Sequence, residues 1–497
     1  MGKLIEPLRY LDGDEMERIH RAALRILEEV GMQVGSEEAL QYYERFGCRV
    51  DYDRQRVKFP AELVQSTVDC MRAANADPNR IPRRMSVRYS QIYFTTMPHR
   101  IHTDFSASAG GFNIYILDLD GVRRPATIED VRAAIRLADA MPNINFMGLP
   151  VSAQEIPSVM RPVVMAAELV KNTRKLGGIE TFDRLDAQFI SRIAEVVAGG
   201  PSELRRNPIL VGYAEARSPL CMDRNMAEIL IDYVKLGLPQ SLDTMPAGGT
   251  TAPITAAGIL AQGVAESLAG LVLGYAVDPN AIMSIDTLPT KADMQTGGYT
   301  YASTERVVVQ AANMQMMSEY YGCPSGTHGG RTDSTYPGYQ AGMEKAFSML
   351  MPILCGSVGI GTLGALENCM MFSPQQLVID NDLVGSVRNL LNGFEVSDET
   401  LAVEAIREVG PDGSFMAHEH TLRHLRDEKD PSRLYNRQAW AAAQADSTQK
   451  LEEKAKQIAA KLIQREGPRP LTPDQEREID EIVAEAWARR KELGQVG

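Results

Sequence analysis

The feature that most constrains the fold is a rhythm of short apolar runs between residues 146 and 360. Phe146–Val151, Leu176–Glu180, Ile209–Tyr213, Gln240–Thr244, Ile282–Asp286, Ser325–His328 and Cys355–Ile360 alternate with longer helical stretches. Their spacing of about 30 to 40 residues is that of one strand, one helix and two loops, the βα unit. Several runs end in a polar residue that opens a loop: Glu180, Tyr213 followed by Glu215, Asp243, Asp286 and His328. An open doubly wound sheet alternates in the same way. No G-x-G-x-x-G opens a helix after the first run, and the number of units suits closure into a (β/α)8 TIM barrel of the α/β class, with chemistry at the carboxyl ends of the strands.

The 497 residues exceed what such a barrel needs, so flanking elements are expected. Asp14–Val30 carries an apolar stripe at helical spacing, and a second helix runs from Ser36 to Phe46. CRVDYDRQRVKF and FNIYILDLDGVRRPA read as hairpins, and Pro60 opens a helix through Met71. These assign residues 1–125 to an N-terminal elaboration of helices and hairpins and 126–402 to the barrel. Residues 403–497 form a C-terminal helical extension, in which Ser447–Glu466 and Pro473–Leu493 act as a clasp or as a contact in a homo-oligomer.

Lys and Arg total 52 against 65 Asp and Glu, a net charge of -13, which disfavours nucleic acid and anionic membranes and suits a cationic ligand. No signal-peptide core and no uninterrupted membrane-length apolar run is visible, so a cytoplasmic protein is expected. Six scattered cysteines with no C-x-x-C pair are expected as reduced thiols.

Three passages carry a resemblance: LDLDGVRRPATIEDVRAAIRLADAMPNI, MPAGGTTAPITAAGILAQGVAESLAGLVL, and the stretch from GGRTDSTYPGYQAGMEKAFSMLMPILCGSVGIGTLGALENCMM to HEHTLRHLR. In order along the chain, they resemble the trimethylamine methyltransferase family. The resemblance implies a barrel that takes a methyl group from a small methylated amine and passes it to the cobalt(I) of a corrinoid. That corrinoid is carried by a separate protein, with no cofactor bound by the barrel itself. Founding members of the family use pyrrolysine near the barrel end; this chain has only standard residues from Thr332 to Gln340. A tertiary amine is a poor methyl donor until its lone pair is engaged, whereas a quaternary ammonium leaves as a neutral amine. A member without the special residue therefore needs only to hold a permanent cation in line with the nucleophile, and glycine betaine is the simplest such substrate.

A quaternary ammonium offers no hydrogen-bond donor, so aromatic faces and carboxylates must hold it. Phe105, Tyr213, Tyr299, Tyr301, Tyr336, Tyr339 and Phe372 are the aromatic candidates, led by Tyr213, Tyr336 and Phe372, with Tyr93 and Phe94 behind them. Packing explains most aromatics equally well. Asp104, Glu180, Asp243 and Asp286 are candidate counter-charges, although each also suits a cap or loop hydrogen bond. His328 and Arg331 follow a strand end, and Arg331 suits a betaine carboxylate as well as an ordinary ion pair. Gly248, Gly249, Thr250 and Thr251 in AGGTTAP, with Thr332, Asp333 and Ser334, are the residues expected to face the corrinoid; a tight βα turn also explains the glycines. His418, Glu419, His420 and His424 are the one metal-like cluster, without H-E-x-x-H order, and are read as structural, so no metal is expected. Two other readings stay open: a metal-dependent hydrolase on the same barrel, and a non-catalytic binding protein for betaines.

Overall fold

The computed structural model describes residues 6–76, 100–101, 103–210, 212–323, 325–428, 432–445 and 450–496. Tyr93 and Phe94 lie outside them.

Parallel pairing links the repeating strands in chain order. Ser106–Ala109 pairs with Phe146–Met147, and Met147 with Leu176. Ile179 then bridges Gly212, Ala214–Ala216 pairs with Leu242–Thr244, and Gln240 bridges Met283. Gly326–Thr327 pairs with Gly359–Leu363, which returns to Ser106–Ala109. Between 282–286 and 326–327 the connections include Cys323 Sγ to the Ile285 carbonyl at 3.8 Å and a Ser325 hydroxyl bond to Asp286. Ser106–Ala109 stands within the stretch expected to precede the repeat, yet it is hydrogen-bonded between two of the repeat's strands. Its small side chains, Ser-Ala-Ser-Ala, hide it from a search for apolar runs.

The flanks fold as their patterns require. Gly13–Arg25 starts at an Asp12–Glu15 capping box, and Ser36 caps Glu37–Phe46. Arg49–Asp51 and Arg56–Lys58 form one hairpin, Tyr115–Leu117 and Arg123–Pro125 another. The N-terminal helices Gly13–Arg25, Glu37–Phe46 and Ala61–Ala76 pack around Ala256–Val277, where Tyr43 donates to the Ala269 carbonyl at 2.9 Å. Ala256–Val277 is apolar all round and long enough to cross a membrane by composition, but 83% of its most apolar window is buried inside the protein. It also carries the buried Glu266, which accepts from Ser218 and the Leu220 amide.

The C-terminal helices close back on the body. Leu451–Ile463 packs against Pro374–Asn392, and Pro473–Glu492 against Arg184–Ala198. The second contact is locked by Arg490, buried in a fork with Asp183 and Asp186 at 2.6 to 2.9 Å.

Candidate active site

Register arithmetic brings the acidic strand ends together. Asp243 pairs directly with Glu215, and extending the Gln240–Met283 register by three residues sets Asp286 beside Asp243. Extending Ile179–Gly212 by one residue sets Glu180 beside Tyr213, which shares a strand face with Glu215 two positions on. The alternate residues Ile179, Ala214, Leu242, Thr244, Ile285 and Thr287 are buried on the opposite face. The acids keep accessible surface while their charges are strongly desolvated, and Glu215 keeps the most. Both properties belong to side chains on the wall of a chamber enclosed by protein.

Among the described residues none of these four carboxylates forms an ion pair. Asp243 accepts from Ser241 at 2.6 Å, and Asp286 from the Thr287 amide at 2.8 Å. Burial, reinforced by Glu215, pushes Glu180 up to about 8. Burial pushes Asp243 up to about 7 against the Ser241 hydrogen bond, and Glu215 adds to it. Burial and then Asp243 hold Asp286 well above the carboxylate range, and burial raises Glu215 against the pull of Arg331. Four carboxyls this close ionise as a set, not singly.

Basic groups lie within electrostatic reach of the acids. Arg331, after strand Gly326–Thr327, lies over the Tyr301 ring at 4.5 Å. Arg306, in the first turn of helix Thr304–Gln315, is 1% exposed, and burial followed by Arg331 lowers it to about 9. His328 is held neutral by burial and by the two arginines, with Nδ1 2.7 Å from the Thr362 hydroxyl. Cys369 sits within reach of Arg331 in a strained turn, where Glu367, Asn368 and Cys369 all have positive φ (50°, 53° and 70°). Its Sγ lies 3.4 Å from the Gly111 carbonyl, and a Cβ on Gly111 would come within 2.6 Å of that sulfur.

Of the expected substrate residues, the structure therefore gathers Glu180, Tyr213, Asp243, His328 and Arg331, with Asp286 and Tyr301. It does not bring in five others. Asp104 is an exposed residue paired loosely with Arg100 at 4.0 Å, ahead of its strand rather than after it. Phe105 is fully buried at the same leading end, with Arg388 over its ring at 5.0 Å. Phe372 is fully buried on strand Met371–Phe372, packed in the core that holds Leu377 and Val378. Tyr336, in the loop after strand Gly326–Thr327, is 68% exposed, and Tyr339, the first residue of helix Tyr339–Leu354, is 83% exposed, so both face outward.

The residues expected to face the corrinoid are held by internal bonds. Ala247 accepts from the amides of Thr250, Thr251 and Ala252, and the Thr251 hydroxyl accepts from the Ala247 amide at 3.0 Å. Gly249 takes a φ of +96° beside Met294 and Ile254, both exposed. Thr332 donates to Glu344, Asp333 accepts from the Tyr301 amide at 2.8 Å, and the Ser334 carbonyl accepts from the Glu367 amide at 2.8 Å. Burial raises Asp333 to about 6.

The histidine cluster is regrouped. Glu399, His420 and His424 have ligand atoms within 4.8 Å of one another, while His418 caps helix Glu419–His424 and approaches Glu408 at 3.1 Å. Glu399 is already paired with Arg423 at 2.9 Å.

Arg306, Glu215 and Cys369 were not among the sequence candidates for binding. Glu215 was signalled, since it lies two residues beyond Tyr213 and strand residues two apart share a face. Arg306 was not: Arg306, Gln310 and Asn313 form a polar stripe at helical spacing, which in sequence reads as a solvent face but is buried.

A strand-built chamber with titratable groups at its carboxyl ends defines an α/β enzyme, and comparison supplies the class. The sequence profile of the trimethylamine methyltransferase family (MTTB) matches residues 2–494, and the chain belongs to that family. The glycine betaine methyltransferase of Desulfitobacterium hafniense (strain Y51) is 27% identical over 511 residues, covering 100% of both chains. The trimethylamine methyltransferase MttB of D. hafniense (strain DSM 10664 / DCB-2) is 30% identical, covering 92% of this chain and 90% of its own. A crystal structure of the hydroxylamine MtmB complex aligns with 100% of this chain and 97% of its own at 11% identity and a TM-score of 0.42.

Proposed function

We propose that this methyltransferase takes a methyl group from a small quaternary amine, glycine betaine before others, and that the acceptor is the cobalt(I) of a corrinoid on a separate cytoplasmic protein. The observation that carries the reading is a set of carboxyls without ion pairs, Glu180, Glu215 and Asp243 around Tyr213 with Asp286 beside Asp243, within reach of Arg331. Such a wall attracts a cation without asking it for a hydrogen bond. Full-length similarity to a glycine betaine methyltransferase and standard residues at Thr332–Gln340 support the quaternary substrate over trimethylamine. The pairing order, which leaves Ser106–Ala109 and returns to it, supports a (β/α)8 barrel with the chamber at its carboxyl face.

The corrinoid, when docked, supplies a strong nucleophile for the methyl carbon. Exposed Ile254, Met294 and Tyr336 on loops that follow the strands, and Tyr339 at the start of the next helix, fit an apolar face pressed over the chamber. This chain's residues do the remaining work. The carboxyls and Tyr213 hold the ammonium with one methyl toward the mouth, and enclosure excludes water from the line of attack. The C–N bond breaks with its electron pair staying on nitrogen, so the leaving group is a neutral tertiary amine and no general acid is required. His328, held neutral and tied to Thr362, adds no charge to the chamber.

Incubation with a cobalt(I) corrinoid, free and on a cognate carrier, with glycine betaine, carnitine, proline betaine, choline and trimethylamine tests this by absorbance. Methylcobalamin from a quaternary amine and none from trimethylamine supports the reading. No methylation from any of them, with an active carrier, overturns it.

A further inference from the structure

The basic groups include a charge that the fold does not neutralise. Arg306 is 1% exposed, yet its Nε and Nη1 lack hydrogen-bond partners. Among the described residues no carboxylate forms an ion pair with it. Asp333, the acid nearest in electrostatic effect, is committed to the Tyr301 amide at 2.8 Å. Arg331 Nε is also unpartnered. One turn beyond Arg306 on the same helix face, Gln310 is fully buried with both Oε1 and Nε2 unpaired. A buried guanidinium without a counter-ion is costly, and two near each other are costlier, so a site of this kind is built for an anion that arrives later.

The acid wall restricts which anion that is. Glu215 and Tyr213 both feel Arg331, and Arg331 acts in turn on Arg306, so Arg331 links the carboxyls to the buried guanidinium, and any carboxyl that ionises there opposes a simple anion. A zwitterion is not. The two-oxygen face of a carboxylate also matches the planar fork of a guanidinium. We propose that Arg306, together with Arg331, receives the substrate's carboxylate, making the chamber selective for betaines over quaternary amines that lack an acid group. This rests on the methyl-transfer reading for its substrate, but it is tested by binding alone, without corrinoid, so the two can fail separately.

Calorimetric titration of the full chain with glycine betaine, choline and tetramethylammonium is the experiment, repeated on Arg306→Met and Arg306→Lys. Glycine betaine should bind the native protein at least about tenfold tighter than choline. Arg306→Met should weaken glycine betaine about tenfold to a hundredfold while leaving tetramethylammonium unchanged, and Arg306→Lys should recover part of the loss. Glycine betaine affinity unchanged in a folded Arg306→Met protein, as ordered water around Arg306 and Gln310 would give, overturns the proposal. If Arg306→Met does not fold, the native series decides: choline binding as tightly as glycine betaine, or no binding of either, overturns it.

Discussion

Lowering the pH should weaken substrate binding by an amount the chamber itself sets. A quaternary ammonium has no proton to exchange and a betaine carboxylate does not titrate near neutrality, so any pH dependence belongs to the protein. Glu180 stands at about 8 and Asp243 at about 7. A cation that requires one of them ionised loses affinity as that group protonates. Between pH 9 and pH 6 the loss is about tenfold if Asp243 governs and about a hundredfold if Glu180 does, or about 1.4 to 2.7 kcal/mol. At pH 7 the corresponding proton release is roughly 0.5 to 0.9 per ligand bound. Calorimetry in phosphate and in Tris, whose ionisation enthalpies differ, counts that proton directly. Flat affinity from pH 6 to 9 with no proton released would refute the claim that desolvated carboxyls receive the cation.

The same groups set a stability profile. Their folded pKa values lie above their unfolded ones, so the native state holds protons that the unfolded chain has released, and stability falls as pH rises toward about 8. Glu180→Gln should therefore raise the melting temperature at pH 8.5 but not at pH 4.5, while weakening substrate binding; equal melting curves at pH 8.5 would contradict this. Lys345 and Asp380, fully buried and 2.6 Å apart, also bind the Ala365 carbonyl and the Gly364 amide. Asp380→Asn should cost about 3 to 5 kcal/mol in denaturant unfolding, and a loss under 1 kcal/mol would show the pair to be solvated. Arg490→Met should release Pro473–Glu492 from Asp183 and Asp186, read as faster amide exchange in that helix. Unchanged exchange would mean that apolar packing alone holds the clasp.

The parts of this molecule that could be read from residues are those set by local periodicity. Five of the expected runs carry Glu180, Tyr213, Asp243, Asp286 and His328 at or beside their last residue, because a buried strand is apolar until it reaches the loop that carries chemistry. Ser106–Ala109 escaped because small side chains suit a strand packed closely by neighbours but give no apolar signal. The acids were legible one at a time; their convergence depends on register between strands far apart in sequence. Ring preferences misled at Phe105 and Phe372, since burial makes an aromatic look the same in a core as in a pocket. Arg306 was hidden because nothing local distinguishes a solvated arginine from one enclosed by the next helix.

The most direct test of the whole account follows the methyl group itself. With glycine betaine carrying 13C in all three N-methyl groups, a cobalt(I) corrinoid on its carrier and this protein, each turnover should place one 13C-methyl on cobalt and release one dimethylglycine that keeps the other two labelled methyls. Dimethylglycine without labelled methylcobalt, or labelled methylcobalt at the same rate without the protein, would contradict it.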